Sequence, residues 1–218
     1  MARNTQGILG AFRGRVGTVV GCQLGDTFYM RSLPQKRTSA FSIAERKNQM
    51  AFGQTQNWLA PLKPVVQQGF KDYYTKYGGY RAALAWNRKF ALGGEYPKLF
   101  VDPAKAKLSG GTLPLSNTIR VERTEDNQLH FHWDTALPED AGPYDQTMLV
   151  AYDIDAKQAV YTLTGNFRSA GEDRLSLPDS WSGRSVHVWL AFVAAGRDRQ
   201  SESVWLGEVQ IVNNKCFF

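Results

Sequence analysis

The chain has 218 residues, of which 43% are hydrophobic and 21% are charged, and its formal net charge at pH 7 is +6. This composition is typical of globular proteins and excludes a wholly disordered chain, while the absence of about 18 consecutive apolar residues excludes a membrane-spanning helix from the sequence. The charge is uneven: residues 1–107 hold 17 Lys and Arg against 5 Asp and Glu, a net +12, whereas residues 108–218 hold 9 against 15, a net −6.

The N-terminal residues, MARNTQGILGAF, lack the apolar core of a secretory signal, because glycines interrupt them. We therefore expect synthesis in the cytoplasm and leave the final location open between cytoplasm, virion and extracellular assembly. The two cysteines, Cys22 and Cys216, are far apart and form no CxxC pattern, so a disulfide between them is not expected.

Residues 7–31 are expected to form a glycine-rich β hairpin. Valine, threonine and aromatic side chains between the glycines favour strands, and GCQLGD, residues 21–26, has the glycines and the aspartate of a turn. A hairpin with so few side chains for a core is marginal alone in water. We therefore expect it to pack on another surface.

A basic linker, RSLPQKRTSAFS, leads to a small helical unit. Ser42 and Glu45 match a capping box that opens the first helix, and Pro61 and Pro64 stop or kink that helix. A second helical stretch is predicted over residues 65–77 and a third over residues 80–92, each followed by a glycine pair.

From about residue 105 onward, short alternating segments predict seven strands separated by turns. In the second of them, Leu129, Phe131 and Trp133 are expected on the buried face, with His130 and His132 on the other. The alternation indicates an antiparallel sandwich with its own core.

Seven strands are the number found in an immunoglobulin-like sandwich. A tryptophan in the second strand, a long penultimate strand and a polar turn before the last strand together resemble a fibronectin type III domain. We therefore predict an α+β protein with two domains. Residues 1–104 form the glycine-rich hairpin and the basic helical unit, and residues 105–218 form a sandwich that folds alone as a soluble monomer.

No catalytic motif stands in the strand and helix context that its chemistry requires. His130, His132 and His187 could ligate zinc, but no carboxylate or cysteine lies near them at ligand spacing, and a solvent-facing polar row is the preferred interpretation. The stretch DIDAKQ, residues 153–158, lacks most of a calcium loop and is better explained as a hairpin turn. We therefore predict a non-enzymatic protein without catalytic residues, metal, cofactor or evident small-molecule substrate.

Aromatic and basic residues are interleaved over residues 52–100, which is the pattern of a stacking platform for single-stranded nucleic acid. Helical spacing instead explains most of these aromatic residues as core. We prefer a core with a protein interface and keep nucleic-acid binding as the alternative.

Six motifs along the chain together resemble an uncharacterised Bacteroidota family known only as a domain of unknown function. They are GILGAFRGRVGTVVG, YMRSLP, RKNQMAF, GEYP, TMLVAYD and SVHVWLAFVAA. The resemblance runs over nearly the full length and implies no assigned activity. Residues 31–52 also resemble stretches of phage-like structural proteins.

The glycine-rich segment is suited to strand addition at the edge of another sheet, because glycine permits close approach of a second backbone. A sandwich offers such edges, and its negative charge complements a basic segment. The predicted interface residues are Ile8, Leu9, Phe12, Val16, Gly17, Val19, Val20 and Tyr29, and the predicted polyanion contacts are Arg13, Arg15, Arg31, Lys36 and Arg37. Pairing between copies gives a ring or filament, whereas pairing within one chain leaves a monomer.

We therefore predict a self-assembling structural subunit, a homo-oligomer or polymer such as a filament, ring or virion-like particle, joined through its N-terminal β segment. A basic nucleic-acid-binding protein is the alternative, and a module that binds protein or carbohydrate is the third. Assembly through protein contacts should survive nuclease, while nucleic-acid binding should weaken steeply with salt.

Overall fold

The structure, a computed structural model, describes the backbone of residues 3–4 and all atoms of residues 10–72, 78–124 and 126–211. These residues contain three α-helices, three short 3-10 helices and thirteen β-strands. All pairings between the strands are antiparallel. The protein is thus a mixed helix and sheet protein, as the sequence predicts.

The chain divides into two compact units, Met1–Ile43 and Ala44–Phe218. The first unit is a four-stranded sheet in the order β1-β2-β3-β4. Its strands are β1 (Arg3–Asn4), β2 (Phe12–Val16), β3 (Val19–Leu24) and β4 (Thr27–Ser32). We call it the N-terminal sheet. It stands where the sequence predicts a single hairpin.

The turn predicted over residues 21–26 is wrong in its bounds. Strand β3 continues through Leu24, and two-residue turns lie instead at residues 17–18 and 25–26. The φ angle of Gly17 is 57°. Side chains other than glycine avoid this left-handed region, and a two-residue hairpin turn requires it.

The helical segment follows directly. Its helices are α1 (Ile43–Leu59), α2 (Lys63–Gly69) and α3 (Gly79–Phe90), with a 3-10 turn at Ala60–Leu62. The prediction that a helix opens after Ser42 and stops before Pro61 is confirmed, since α1 ends at Leu59. Pro61 lies at the start of the 3-10 turn, where a residue needs no N–H donor.

The second predicted helix, residues 65–77, is wrong over residues 70–72, which form a turn after α2 ends at Gly69. The carbonyl of Gly69 accepts hydrogen bonds from the Gly110 N–H at 2.9 Å and from the Ser109 hydroxyl at 3.0 Å, so this chain end is held by a later loop rather than by a further helical turn. Residues 73–77 of that prediction lie outside the described residues. A short hairpin that the sequence does not predict follows α3, with strands β5 (Leu92–Glu95) and β6 (Lys98–Val101).

All seven strands predicted after residue 105 are present. They are β7 (Ile119–Arg123), β8 (Gln128–Trp133), β9 (Gln146–Asp153), β10 (Gln158–Thr162), β11 (Glu172–Ser176), β12 (Ser185–Val193) and β13 (Val204–Gln210). They form a four-stranded sheet, β10-β9-β12-β13, and a three-stranded sheet, β11-β8-β7.

The four-stranded sheet is covered on both faces, which gives the second unit three layers. Toward the three-stranded sheet, Leu149 and Phe192 pack in one core cluster with Phe131. Toward the helices, Tyr152 packs in a second cluster with Trp58, whose backbone carbonyl accepts a hydrogen bond from the Tyr152 hydroxyl at 3.1 Å. Helices and sheet therefore share a core. The division predicted between residues 104 and 105 stays a prediction.

Candidate functional site

The register of the N-terminal sheet gives it two faces of different chemistry. Side chains of residues paired directly across antiparallel strands lie on the same face. Val16 pairs with Val19, and Gly21 pairs with Met30. Alternation along each strand adds two aromatic residues to the same side. We call this side the apolar face, and its large side chains are Phe12, Val16, Val19, Phe28 and Met30.

The opposite side carries the positive charge of the sheet. Arg15 pairs with Val20, and Val20 pairs with Arg31. Alternation places Arg13 and Tyr29 on this side as well. We call it the basic face.

Most side chains of the N-terminal sheet are exposed. Met30 is 69% exposed, Phe28 50% and Tyr29 46%, and every side chain of the edge strand β4 is exposed. Within residues 10–43, the described part of this unit, Gly21 alone is buried. A sheet without buried side chains has no core of its own, and a contiguous exposed apolar face indicates an interaction surface.

The two central glycines have different roles. A Cβ at Gly21 would stand 2.1 Å from the carbonyl oxygen of Phe12 and 2.7 Å from its ring, so Phe12 of β2 lies too close to Gly21 for a side chain to fit there. A Cβ at Gly17 would meet nothing within 4 Å. Gly17 is therefore required for the φ angle of the turn, whereas Gly21 is required because the Phe12 backbone lies close to it.

The structure places the predicted interface residues on both faces. Phe12, Val16 and Val19 lie on the apolar face, Val20 and Tyr29 lie on the basic face, and Gly17 lies in a turn. Ile8 and Leu9 lie outside the described residues. Sequence reasoning missed Phe28 and Met30, although their alternation with Tyr29 and Arg31 in TFYMRS is the signal of a two-faced strand.

The predicted polyanion contacts lie partly on the sheet and partly in the linker. Arg13, Arg15 and Arg31 are exposed on the basic face, and Lys36 and Arg37 follow in the linker. The guanidinium of Arg37 donates to the Ser39 carbonyl at 2.8 Å and lies 4.3 Å from the centroid of the Phe41 ring. Residues 1–43 hold 6 Lys and Arg against 1 Asp and Glu, so this unit is strongly basic.

Two of the three histidines come together, and a carboxylate joins them. His130 and His132 share the outer face of β8, and Glu172 reaches them from β11, with 3.0 Å between His130 Nε2 and Glu172 Oε2. The statement that no carboxylate lies nearby is therefore wrong, because spacing along the chain does not show a partner on a neighbouring strand. His187 lies on β12, in the other sheet, between Trp189 and Trp205.

A family model matches residues 11–207 of the chain, from just before β2 to within β13. The chain belongs to the family of unknown function DUF6266. The resemblance to an uncharacterised family is thereby confirmed at the level of the family. A search of curated proteins finds no match. In the part of this DUF6266 chain that the structure describes, no helix is both long and apolar enough to cross a bilayer.

The aromatic residues of the helical segment are divided between core and surface. Trp58 and Phe70 are buried, whereas Phe52, Phe90 and Phe100 are exposed. Tyr73, Tyr74 and Tyr77 lie outside the described residues. The described aromatic residues therefore do not together form one exposed surface on which nucleic-acid bases could stack.

Two buried acidic residues of this DUF6266 chain, Asp153 and Asp145, form hydrogen bonds or ion pairs that stabilise loops. Asp153 accepts hydrogen bonds from the Ala156 N–H at 2.9 Å and from the Arg184 guanidinium at 3.0 Å, which fixes the turn between β9 and β10. The hairpin turn predicted at residues 153–158 is confirmed. Arg168 is fully buried over the Phe192 ring, 3.9 Å from its centroid, and forms an ion pair with Asp145 at 3.4 Å. Burial lowers the pKa of Arg168, and Asp145 opposes that shift.

Proposed function

We propose that this protein is a non-enzymatic structural subunit that assembles with copies of itself through the apolar face and the edge of its N-terminal sheet. The observation that carries the proposal is the exposure of that face in a unit without a core. Burying such side chains contributes about 25 cal/mol per Å² of apolar surface, so a partner that covers the face gains stability directly.

The charges favour a second copy of the chain as the partner. Residues 1–43 hold 6 Lys and Arg against 1 Asp and Glu, whereas residues 108–218 carry a net −6. The N-terminal sheet of one copy therefore complements the C-terminal strands of another in charge. In addition, among the strands that the structure describes, β4 pairs with β3 alone, which leaves an edge for strand addition.

Contact between two different surfaces is head-to-tail. Such contacts close into rings or continue as filaments. Assembly should therefore proceed to particles of defined shape rather than stop at a dimer.

Two adjacent residues of β4 test the proposal. Met30→Asp introduces a charge on the apolar face, and Tyr29→Asp introduces the same charge on the basic face. Both side chains are exposed, so neither substitution should unfold the chain. Sedimentation velocity at physiological salt should show loss of assembly for Met30→Asp, because burying an unpaired charge is unfavourable. Tyr29→Asp should weaken assembly mainly at low salt, because its charge lies on the exposed basic face and is screened.

Further variants follow from the same surface. Val19→Asp should act like Met30→Asp, and Arg13→Gln should matter mainly at low salt, because exposed charges are screened beyond about 8 Å at physiological ionic strength. Deletion of residues 1–33 should leave residues 44–218 folded and monomeric. A full-length chain that stays monomeric at every concentration, or one whose assembly Met30→Asp leaves intact, would contradict the proposal.

The basic face favours nucleic-acid binding as the second candidate. Arg13, Arg15 and Arg31 flank the exposed ring of Tyr29, and single-stranded nucleic acid binds where bases stack on aromatic rings among positive charges. Anisotropy of a labelled oligo-dT strand should then show binding that Tyr29→Asp removes and Met30→Asp spares. The same two variants thus distinguish the two functions by opposite results.

We also propose that the two C-terminal sheets form a fibronectin type III-like sandwich. In immunoglobulin-like sandwiches the first, second and fifth strands share one sheet, and the third, sixth and seventh share the other. The orders β11-β8-β7 and β10-β9-β12-β13 agree with this division. The fourth strand, β10, joins the larger sheet, next to β9.

A further inference from the structure

The outer face of the three-stranded sheet carries a cluster of metal-ligating side chains. His130 and His132 stand two residues apart on β8 and therefore on one face, and Glu172 on β11 is the register partner of His132. The centroids of the two imidazole rings are 3.9 Å apart. One ligand atom from each of the three residues lies within 4.8 Å of the others.

These separations are close to those of a metal site. Zinc binds histidine nitrogen and carboxylate oxygen at about 2.0–2.2 Å, so tetrahedral ligand atoms stand about 3.4 Å apart. From at most 4.8 Å, the atoms need to approach by roughly 1.4 Å, a distance that side-chain rotation alone supplies.

The sheet holds the two histidines at a fixed spacing. Strand β8 is the central strand and is paired with β7 on one side and β11 on the other. Its alternate side chains, Leu129, Phe131 and Trp133, are buried in the core. A ligand pair on such a strand is preorganised, so little conformational entropy is lost when a metal binds.

Two arginines and two glutamates around the histidines give this face equal numbers of positive and negative side chains. Arg120 stands opposite His132 and Arg174 stands opposite His130, while Glu122 joins Glu172 as a second carboxylate on this face. All four of these charged side chains are exposed. With neutral imidazoles, the face therefore presents no net positive charge to an approaching cation.

We propose that His130, His132 and Glu172 bind one divalent transition-metal ion, with Zn²⁺ as the expected occupant. Two imidazoles and a carboxylate are the donor set of three-ligand zinc sites, which leave a further coordination position open to solvent.

The test uses the full-length chain, freed of metal with EDTA and dialysed. Calorimetric titration with ZnCl₂ should show one ion per chain, and CoCl₂ should give visible absorption bands of tetrahedral intensity. His132→Asn and Glu172→Gln should each weaken binding by at least about tenfold. The matched control is Glu122→Gln, which removes an exposed carboxylate from the same face outside the cluster and should change the affinity less than about twofold.

The proposal fails if the unsubstituted chain shows no saturable binding of either ion. It also fails if the double variant His130→Asn, His132→Asn binds Zn²⁺ as tightly as the parent. These side chains are not part of the buried core, so circular dichroism of each variant should match that of the parent. The cobalt spectrum of the unsubstituted chain decides the question even where a variant misfolds.

Discussion

Trp133 shows how a single side chain joins the three-stranded sheet to the rest of the core. Its ring meets the ring of Phe192 edge to face at a centroid distance of 5.7 Å, and its indole N–H donates to the Arg168 carbonyl at 2.7 Å. The apolar body is buried and the polar atom is satisfied, which is the arrangement that makes a buried tryptophan stabilising.

Replacing Trp133 with alanine should lower the free energy of unfolding by about 3–5 kcal/mol, because it empties a large core position. It also removes the indole donor of the Arg168 carbonyl, which then keeps the Gly171 N–H at 3.3 Å. Urea denaturation measures the effect. Trp205→Ala is the matched control, since Trp205 is 36% exposed and its loss should cost much less. Equal costs for the two variants would place Trp133 outside the core.

His187 has an environment that disfavours its charged form. Burial lowers the pKa of His187, while Glu208 and Asp155 oppose the shift. The imidazole also lies near the rings of Trp189 and Trp205, and in register it stands between Tyr152 and Glu208. The folded protein therefore binds this proton more weakly than the unfolded chain does.

Stability should consequently fall as the pH drops below 6.5, the ordinary pKa of the imidazole, because unfolding then takes up a proton. His187→Gln should reduce that loss. The urea concentrations at half-unfolding of parent and variant, at pH 7.5 and at pH 5.5, measure this loss of stability. The same loss in both proteins would show that other groups cause the pH dependence.

At the scale of elements, short strand segments separated by turns are the reliable sequence signal, and glycine is the ambiguous one. The spacing of those segments predicts all seven strands after residue 105. Glycine marks turns, close approaches and chain breaks alike, and a single sequence does not distinguish these uses. The sequence therefore does not predict the turn at Gly17, the close approach of Phe12 at Gly21 or the strand at Gly93.

Gly21→Ala should loosen the N-terminal sheet, because the new Cβ would stand 2.1 Å from the backbone oxygen of Phe12. Hydrogen exchange should show faster exchange of β2 and β3 amides and no change in β8 or β12, since they belong to a separate compact unit. The control is Gly53→Ala within α1, where a Cβ meets nothing within 4 Å and alanine should stabilise the helix by about 0.5–1 kcal/mol. Unchanged exchange of the β2 amides in Gly21→Ala would contradict the close approach of Phe12 to Gly21.

At the scale of the whole molecule, the sequence held a signal of layering that alternation alone does not capture. The segments TMLVAYD and VWLAFVAA are nearly continuous apolar runs, as expected of strands buried on both faces. They correspond to β9 and β12, which the helices cover on one side. The candidate metal cluster could not be predicted from the sequence. Glu172 follows His130 by 42 residues along the chain, and only the pairing of their strands brings the two side chains together.

The shared core gives an expectation for truncated chains. Residues 44–218 should fold alone, because they contain both core clusters. Residues 105–218 lack the helices and would expose Met148, Tyr152 and Trp189, so they should bind a hydrophobic dye and aggregate. Dye fluorescence and sedimentation of the two fragments measure the difference. A monomeric, dye-free fragment 105–218 would instead support the boundary predicted from the sequence.

The double covering of the four-stranded sheet also bears on how such a protein can diverge. In β9 and β12 almost every side chain touches a neighbour in one of two cores, so a change at one position calls for a compensating change at another. The outer face of the three-stranded sheet and the N-terminal sheet carry less of this constraint, except at Gly21 and at the residues of the proposed assembly surface. Descendants of one ancestral sequence can therefore acquire new binding chemistry on these surfaces while keeping the same architecture.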